Sequence, residues 1–193
     1  MASEAERRLL AAAVPHYQSV HVIPNTIDLS LFPAPAKERV QDSLIFSGPM
    51  SYRPNYDAVL WFLREVYPAV KSEIPGARLT VTGDPGSFPR PADPDVVFTG
   101  WVDDVRPLVG RSAVSIVPIR QGGGTRLKIL EAMALGTPVV TTSKGAEGLD
   151  GSDGIHLRIA DDPRAFARCV AALLRDAQER ERLAENAYSL VRA

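Results

Sequence analysis

The chain has 193 residues, 45% apolar and 23% charged, with 16 Pro and 14 Gly; this is the profile of a globular domain long enough to bury a core, and it excludes a disordered or collagen-like chain. Lys and Arg number 22 against 23 acidic residues, a formal net charge of −1, so no basic field is available to hold nucleic acid or anionic lipid at long range. One cysteine, Cys169, excludes an internal disulfide and a thiolate metal cluster, fits a reducing compartment, and makes the cytoplasm the expected location.

Taken in chain order, residues 1–10 are charged and lack the apolar segment of a signal peptide. No apolar run approaches the roughly 18 residues of a membrane span, so the sequence predicts neither a secreted nor a membrane-spanning chain. Residues 3–14 are helix-like, and 1–19 read as an interdomain helix or linker ahead of the first strand. Short β-branched runs follow at 20–23, 44–46, 79–82, 96–98, 114–117 and 139–142, each leading into a helical pattern. They lack strict apolar/polar alternation, as strands do when helices cover both faces of a parallel sheet. Between them, residues 55–73 carry Val59, Phe62, Leu63, Val66 and Val70 at helical spacing, with Pro68 expected to kink that helix or to start a separate final turn. Residues 33–35 and 85–94 read as proline-rich loops. Asp162 before Pro163 predicts a capped helix through Phe166, Val170, Leu173 and Leu174, and a last helix runs from about Gln178 to Val191. Both ends read as cut, with 178–193 a truncated final helix. The expected architecture is α/β, a single Rossmann-like domain over 1–193 with a parallel sheet and helices on both faces.

The densest segment is PIRQGGGTRLKILEAMALGTPVV, residues 118–140. A strand ends at Pro118, a loop holds Gly122, Gly123 and Gly124, Thr125 can cap, and a helix runs to about Leu135 before Gly136 stops it. Strand, glycine loop and helix together bind phosphate: glycines allow close backbone approach, first-turn amides lack helical partners, and the macrodipole adds positive potential. Arg126 can add a charge-assisted bond of about 1.5–3 kcal/mol. A helix start normally favours acidic residues, so Arg126 and Lys128 together point to an anion there; the competing reading of the glycines is a tight turn. Glu131, in mid-helix, suits the two hydroxyls of a ribose. Equally, it suits an i to i+3 ion pair with Lys128, worth about 0.3–0.5 kcal/mol.

Five segments carry a resemblance: VIPNTIDLSLF, TGDPG at 82–86, FTGWVDDVRPL at 98–108, EAMALGTPVV, and DDPRAFARCVAALLRD at 161–176. In this order and spacing they resemble the C-terminal half of a glycosyltransferase family 4 enzyme of the GT-B fold. The resemblance implies two Rossmann-like domains facing a cleft, the C-terminal one binding a nucleotide-sugar donor, and hexosyl transfer that retains the anomeric configuration without a metal. It implies that Glu131 is the second glutamate of the E-x7-E signature and binds the donor ribose. The first glutamate position is Gly123, so the signature is incomplete. The chain resembles a branch with a GGGTRLK-type loop, in which the amides of Gly123 and Gly124 with Thr125 and Arg126 serve the sugar and diphosphate.

A second departure follows Gly48. Relatives place an arginine just after this glycine and a lysine further on, whereas here Pro49 and Met50 follow it and Pro54 stands near the lysine position. Arg53 is the nearest cation and can substitute, or Arg126 and Lys128 take over the charge. The PN-D-A pattern of Pro54, Asn55, Asp57 and Ala58 is shared with related sugar transferases, although Asn55 can equally cap the helix. The base is expected against Gly100, Trp101 and Val102; for Trp101 a half-buried indole covering the sheet edge is favoured over stacking on the base. Gly83 and Asp84 face the same edge, Asp84 being as good a turn residue as a contact, and Glu147 lies in the loop after 139–142 that can face the donor. His156 is expected on an edge strand, His16 and His21 lie outside any acid/base pattern in the sequence, and none of the three is expected to be catalytic. No HExxH, paired cysteine or nucleophile elbow appears.

The expected function is donor binding in a retaining, metal-independent glycosyltransferase that moves a sugar from a nucleoside diphosphate sugar to an acceptor hydroxyl. Arg126 and Lys128 are the candidate catalytic residues, stabilising the diphosphate leaving group. Glu131, Gly122, Gly123, Gly124, Thr125, Gly48, Arg53, Gly83, Asp84, Gly100, Trp101, Val102 and Glu147 are the candidate donor-binding set. No cofactor and no nucleic acid is expected. The expected partners are the acceptor domain missing from this chain, an acceptor glycan or lipid-linked sugar, and a membrane surface touched peripherally by the parent enzyme. The chain alone is expected to bind nucleotide and turn over little. The alternatives are a nucleotide-sugar epimerase of the same fold and a non-catalytic nucleotide- or protein-binding module, the latter suggested by Gly123. An unrelated Rossmann cofactor protein is disfavoured because no GxGxxG follows the first strand.

Overall fold

The computed structural model describes residues 3–17, 19–33, 35 and 38–192. Strands β1 (Val40–Phe46), β2 (Arg78–Thr82), β3 (Val96–Gly100), β4 (Ser112–Val117), β5 (Val139–Thr141) and β6 (Arg158–Ile159) form one sheet in the order β3-β2-β1-β4-β5-β6. Every neighbouring pair is parallel. All six residues of β4 are buried, as expected of a central strand covered on both faces. The order steps outward in one direction from β1 and in the other from β4, so the connections leaving these two neighbours diverge.

The helices are α1 (Glu4–Ala13), α2 (Arg53–Trp61), α3 (Tyr67–Glu73), α4 (Arg106–Arg111), α5 (Leu127–Ala134), α6 (Ser143–Ala146), α7 (Pro163–Arg175) and α8 (Ala177–Arg192), with a 3-10 turn at Leu29–Leu31. Helix α7 packs on α3 and against β1, β4 and β5, while α5 packs on α8, α4 and β5. The helical stripe read between 55 and 73 is real but interrupted. A π-helical turn, Phe62–Val66, joins α2 to α3, and Pro68 sits in the first turn of α3, where its missing N–H costs nothing. Val59, Phe62, Val66 and Val70 all point into the core. Phe62 and Trp61 meet Phe166 of α7 edge to face, at 6.0 and 5.8 Å between centroids. Helix α7 opens as its sequence indicates: the Asp162 carboxylate accepts from the backbone N–H of Ala165, and Pro163 takes the first position.

Some expectations are corrected. Residues 20–23 form no strand; the sheet is bounded by β3 and β6, and Ile23 is exposed. His156 lies in the turn before β6 and not on the strand. After β5, Thr142 caps the single turn α6, so part of the expected loop is helical. Ala34, in the loop expected at 33–35, lies outside the described residues. Cys169 is a free thiol. Among the described residues no helix is long and apolar enough to cross a membrane.

The carboxyl ends of β1, β2 and β3 are drawn together by backbone contacts. Gly83 N–H donates to the carbonyl of Gly100 at 2.8 Å, and Ser51 N–H donates to that of Asp84 at 2.8 Å. Gly83 takes a φ of +95°, and a Cβ there would stand 2.1 Å from the carbonyl oxygen of Gly48. Backbone cannot yield as a side chain does, so Gly83→Ala should cost at least about 2 kcal/mol, or about 4–8 °C of Tm in a chain of this size. A Cβ on Gly123 meets nothing within 4 Å, so Gly123→Ala should stay within about 0.5 kcal/mol of the unaltered chain in the same thermal melt.

Candidate functional site

A cleft of about 430 Å³ opens where the chains leaving β1 and β4 diverge. One wall is the turn after β1, Ser47, Gly48 and Pro49, with Tyr52 and Asn55 from the start of α2. The other is Gly123, Thr125 and Arg126 of the glycine loop with Leu127, Lys128 and Glu131 of α5. Another cavity, of about 350 Å³, lies at the opposite, amino-terminal end of the sheet between Gly136 and α8. The guanidinium of Arg39 there is occupied by the carbonyls of Gly110, Ser112 and Gly136.

The glycine loop curls around its own arginine. Gly122 and Gly124 adopt φ of +98° and +79°, which turns their carbonyls and that of Gly123 onto the guanidinium of Arg126. Arg126 is itself the residue before the first turn of α5, and no side chain caps that helix. Thr125, expected to cap, stands one residue too early; its hydroxyl faces the backbone of Gly148 instead. Two buried polar atoms in this loop have no protein partner, Thr125 Oγ1 and Arg126 Nε. The first turn of α5 holds no acidic residue, so the charged side chains that the helix places at its own positive end are the cations Arg126 and Lys128.

Lys128 reaches across the cleft. Its ammonium donates to Asn55 Oδ1 at 3.0 Å and lies 4.1 Å from the ring centroid of Phe46. Burial, then the neighbouring Arg126, push its pKa down to about 7, with Glu131 opposing. The alternative ion pair between Lys128 and Glu131 is not made; the amide of Asn55 takes the ammonium in its place. Burial raises the Glu131 carboxyl above its ordinary value, and Lys128 pulls the other way. Glu131 also borders a smaller recess of about 290 Å³ shared with Phe32, Val105, Arg106 and Leu135. Asn55 does not cap α2, since Tyr52 holds that position. Its buried amide donates to the carbonyl of Pro49 at 2.8 Å.

The structure therefore gathers Gly48, Gly123, Thr125, Arg126, Lys128 and Glu131 around one cleft and adds Tyr52, which the sequence did not single out. Arg53 is not on its walls. It pairs with Asp57 at 3.0 Å on exposed helix surface and lies 5.7 Å from the ring of Phe88. The Asp84 carboxylate accepts from Gly86 N–H at 3.0 Å, the turn alternative. Glu147 pairs with Lys144. Gly83 and Gly100 close β2 and β3, and Trp101 beyond them is 77% exposed, not half-buried, because β3 is the edge strand and no strand pairs beyond it among the described residues.

A lysine whose pKa falls on folding binds its proton less well in the native state than in the unfolded one. Between about pH 7 and about pH 10 the unfolded chain holds more protons, so native stability rises with pH across that window. The stability of the unaltered chain should rise relative to that of Lys128→Met between pH 7 and pH 10, measured by urea unfolding at each pH. A constant difference would contradict the burial of the ammonium.

Known proteins share this fold and family. The family model described as glycosyl transferases group 1 matches residues 41–176. An uncharacterized 44.6 kDa protein in the cps region of Klebsiella pneumoniae is 26% identical over 160 residues, which cover 77% of this chain and 41% of that protein. The chain thus spans about two fifths of that relative's length. Among solved structures, a TarM mutant of S. aureus in complex with fondaparinux, α-GlcNAc-glycerol and UDP superposes with a TM-score of 0.81 at 14% identity, over 98% of this chain and 39% of that one. HepE of Anabaena in complex with UDP and glucose gives 0.78 at 16%, over 98% and 56%. The C-terminal domain of LpcC, a glycosyl transferase group 1 family protein of Francisella tularensis, gives 0.69 at 19%, over 86% and 96%. The six-stranded parallel sheet is that of the GT-B glycosyltransferases, and with residues 41–176 matching the family model the chain belongs to the glycosyl transferases group 1.

Proposed function

We propose that this chain is the donor-binding half of a retaining, metal-independent glycosyltransferase, and that its cleft takes a nucleoside diphosphate sugar. The observation that carries this reading is the convergence of two cations, Arg126 and Lys128, on neutral partners only, at a helix start beside two unpartnered buried polar atoms. Neither cation is hydrogen-bonded to a carboxylate, Glu131 on the same cleft making no bond to Lys128, and a diphosphate supplies an anion for both. The solved structures of TarM and HepE named above contain UDP, which makes UDP the first nucleotide to test.

In this reading the bond between the anomeric carbon and the diphosphate oxygen breaks while the acceptor oxygen attaches on the same face, its hydroxyl proton passing to the departing diphosphate. Negative charge grows on the departing diphosphate, and fixed cations stabilise that change. Arg126 exchanges the carbonyls of Gly122, Gly123 and Gly124 for phosphate oxygens, and Lys128 stays beside the turn after β1. Glu131, between the cleft and the recess near Val105, takes the ribose hydroxyls. The base lies toward Gly100, Trp101 and Val102, where the exposed indole offers an open face. The acceptor, a glycan or lipid-linked sugar, is met by a second domain of the parent protein. That protein works in the cytoplasm, with peripheral contact to a membrane, and the isolated chain turns over little.

Thermal unfolding with millimolar UDP, GDP and ADP tests the reading. A ligand at 100 times its dissociation constant stabilises the native state by about 2.7 kcal/mol, a rise of several degrees. One nucleotide should raise the midpoint of the unaltered chain, and Glu131→Ala should abolish most of that rise. No rise with any of the three, or an equal rise in Glu131→Ala, contradicts the assignment, and robust sugar transfer by the chain alone contradicts its dependence on a second domain.

A further inference from the structure

Lys128 is held by a chain of two hydrogen bonds that joins three separate elements. Its ammonium, on α5, donates to Asn55 Oδ1, on α2, at 3.0 Å. The other end of the same amide, Nδ2, donates to the carbonyl of Pro49 in the turn after β1 at 2.8 Å. Asn55 is 5% exposed, so it has no solvent to substitute for either bond. Space for the ammonium is left by Gly48, where a Cβ would stand 2.7 Å from Lys128 Nζ and 3.1 Å from Asn55 Nδ2. Beneath it lies the ring of Phe46 from β1.

We propose that Asn55 is a positioning residue, whose amide fixes the ammonium of Lys128 beside the turn after β1 as an uncancelled charge for the diphosphate of the donor. This rests on the diphosphate reading of the cleft. The residue type follows from the geometry. One group must accept from an ammonium and donate to a carbonyl on another element, and the asparagine amide does both without carrying charge, its oxygen and its nitrogen pointing to different partners. Aspartate would accept from Lys128 but could not donate to Pro49, and it would neutralise the cation; leucine would do neither. The groups around Lys128 are Arg126 just before its own helix and Glu131 on it, Tyr52 just before α2 and Asn55 on it, Phe46 from β1, and Val105, before α4, on the shared cleft wall. Glu131 is the only anion among them, and it makes no hydrogen bond with Lys128, whose bond goes to Asn55.

The test is calorimetric titration of the full chain and of Asn55→Asp, Asn55→Leu and Lys128→Met with UDP, pyrophosphate and uridine, after thermal melts establish that each variant folds. Asn55→Leu should lose about tenfold in affinity for UDP and for pyrophosphate while uridine binds as before, and Lys128→Met should lose the same two ligands. In the Lys128→Met background the Leu substitution should have little further effect, because both changes remove one interaction. Asn55→Asp, which keeps the side-chain shape should Asn55→Leu not fold, should also weaken both anions. It should also move the fall of UDP affinity with rising pH at least one pH unit upward, since a carboxylate beside the ammonium keeps it protonated. UDP and pyrophosphate affinities unchanged in Asn55→Asp and Asn55→Leu, with Lys128→Met impaired, overturn the positioning role and leave the site reading standing. A loss shared equally by uridine overturns it too, as the sign of a general structural defect. An unaltered chain that binds neither UDP nor pyrophosphate overturns the site reading and this proposal together.

Discussion

Strands β1 and β4 are neighbours in the sheet, yet the chain leaves them in opposite directions, and everything at the candidate site depends on that divergence. Parallel strands end on the same edge, so the turn after β1 and the glycine loop after β4 stand side by side with nothing between them. Neither can be closed by a further strand. The polar groups on both walls must therefore find partners across the opening, in the loops themselves, or in a ligand. Each of these occurs: Lys128 bonds across to Asn55, Arg126 bonds to its own loop, and Thr125 Oγ1 and Arg126 Nε have no protein partner.

The charge arrangement follows from this geometry. Two cations lie at the start of a helix whose dipole opposes them, a placement that costs stability unless anions or oxygen acceptors offset it. The acceptors supplied are neutral: three loop carbonyls for Arg126 and an amide for Lys128. Neutral acceptors satisfy hydrogen bonds without cancelling charge, so the cleft keeps a positive potential that a carboxylate partner would remove. The contrast with Arg53 is instructive. That residue, at the head of α2, has Asp57 one turn on, so its charge is answered locally on the surface.

Much of the fold was legible because burial on both faces leaves a direct mark. The runs at 44–46, 79–82, 96–98 and 114–117 each lie within a strand, and 139–142 overlaps β5. The run at 20–23 has the same composition and forms none, because composition cannot say whether a neighbouring strand edge is free. Strand β6, two residues long, is too short for any periodicity. At the site, Gly48, the glycine loop, Arg126, Lys128 and Glu131 were visible as residue types in a local pattern. The bond from Lys128 to Asn55 was not, since it joins positions 73 residues apart. Local rules offered each end only a local alternative, a helix cap for Asn55 and an ion pair with Glu131 for Lys128, and neither is made. Trp101 was misjudged for a similar reason. An indole usually finds cover, but β3 is the edge strand, and among the described residues no strand pairs beyond it.

Gly123 connects the departures. Its backbone leaves room for a side chain, because a Cβ there meets nothing within 4 Å, so steric exclusion does not explain the absence of the carboxylate that the resemblance leads one to expect. Electrostatics offers a reason. The carbonyl of Gly123 already accepts from the Arg126 guanidinium, and a carboxylate on the same residue would lie within reach of that cation and neutralise it. The same holds on the other wall, where a cation on α2 would crowd the ammonium that Lys128 extends across from α5. Losing an anion from the glycine loop and drawing the lysine charge from α5 are thus compatible changes that leave the cleft net positive. A glutamate restored at 123 alone would pair with Arg126 and lower that potential.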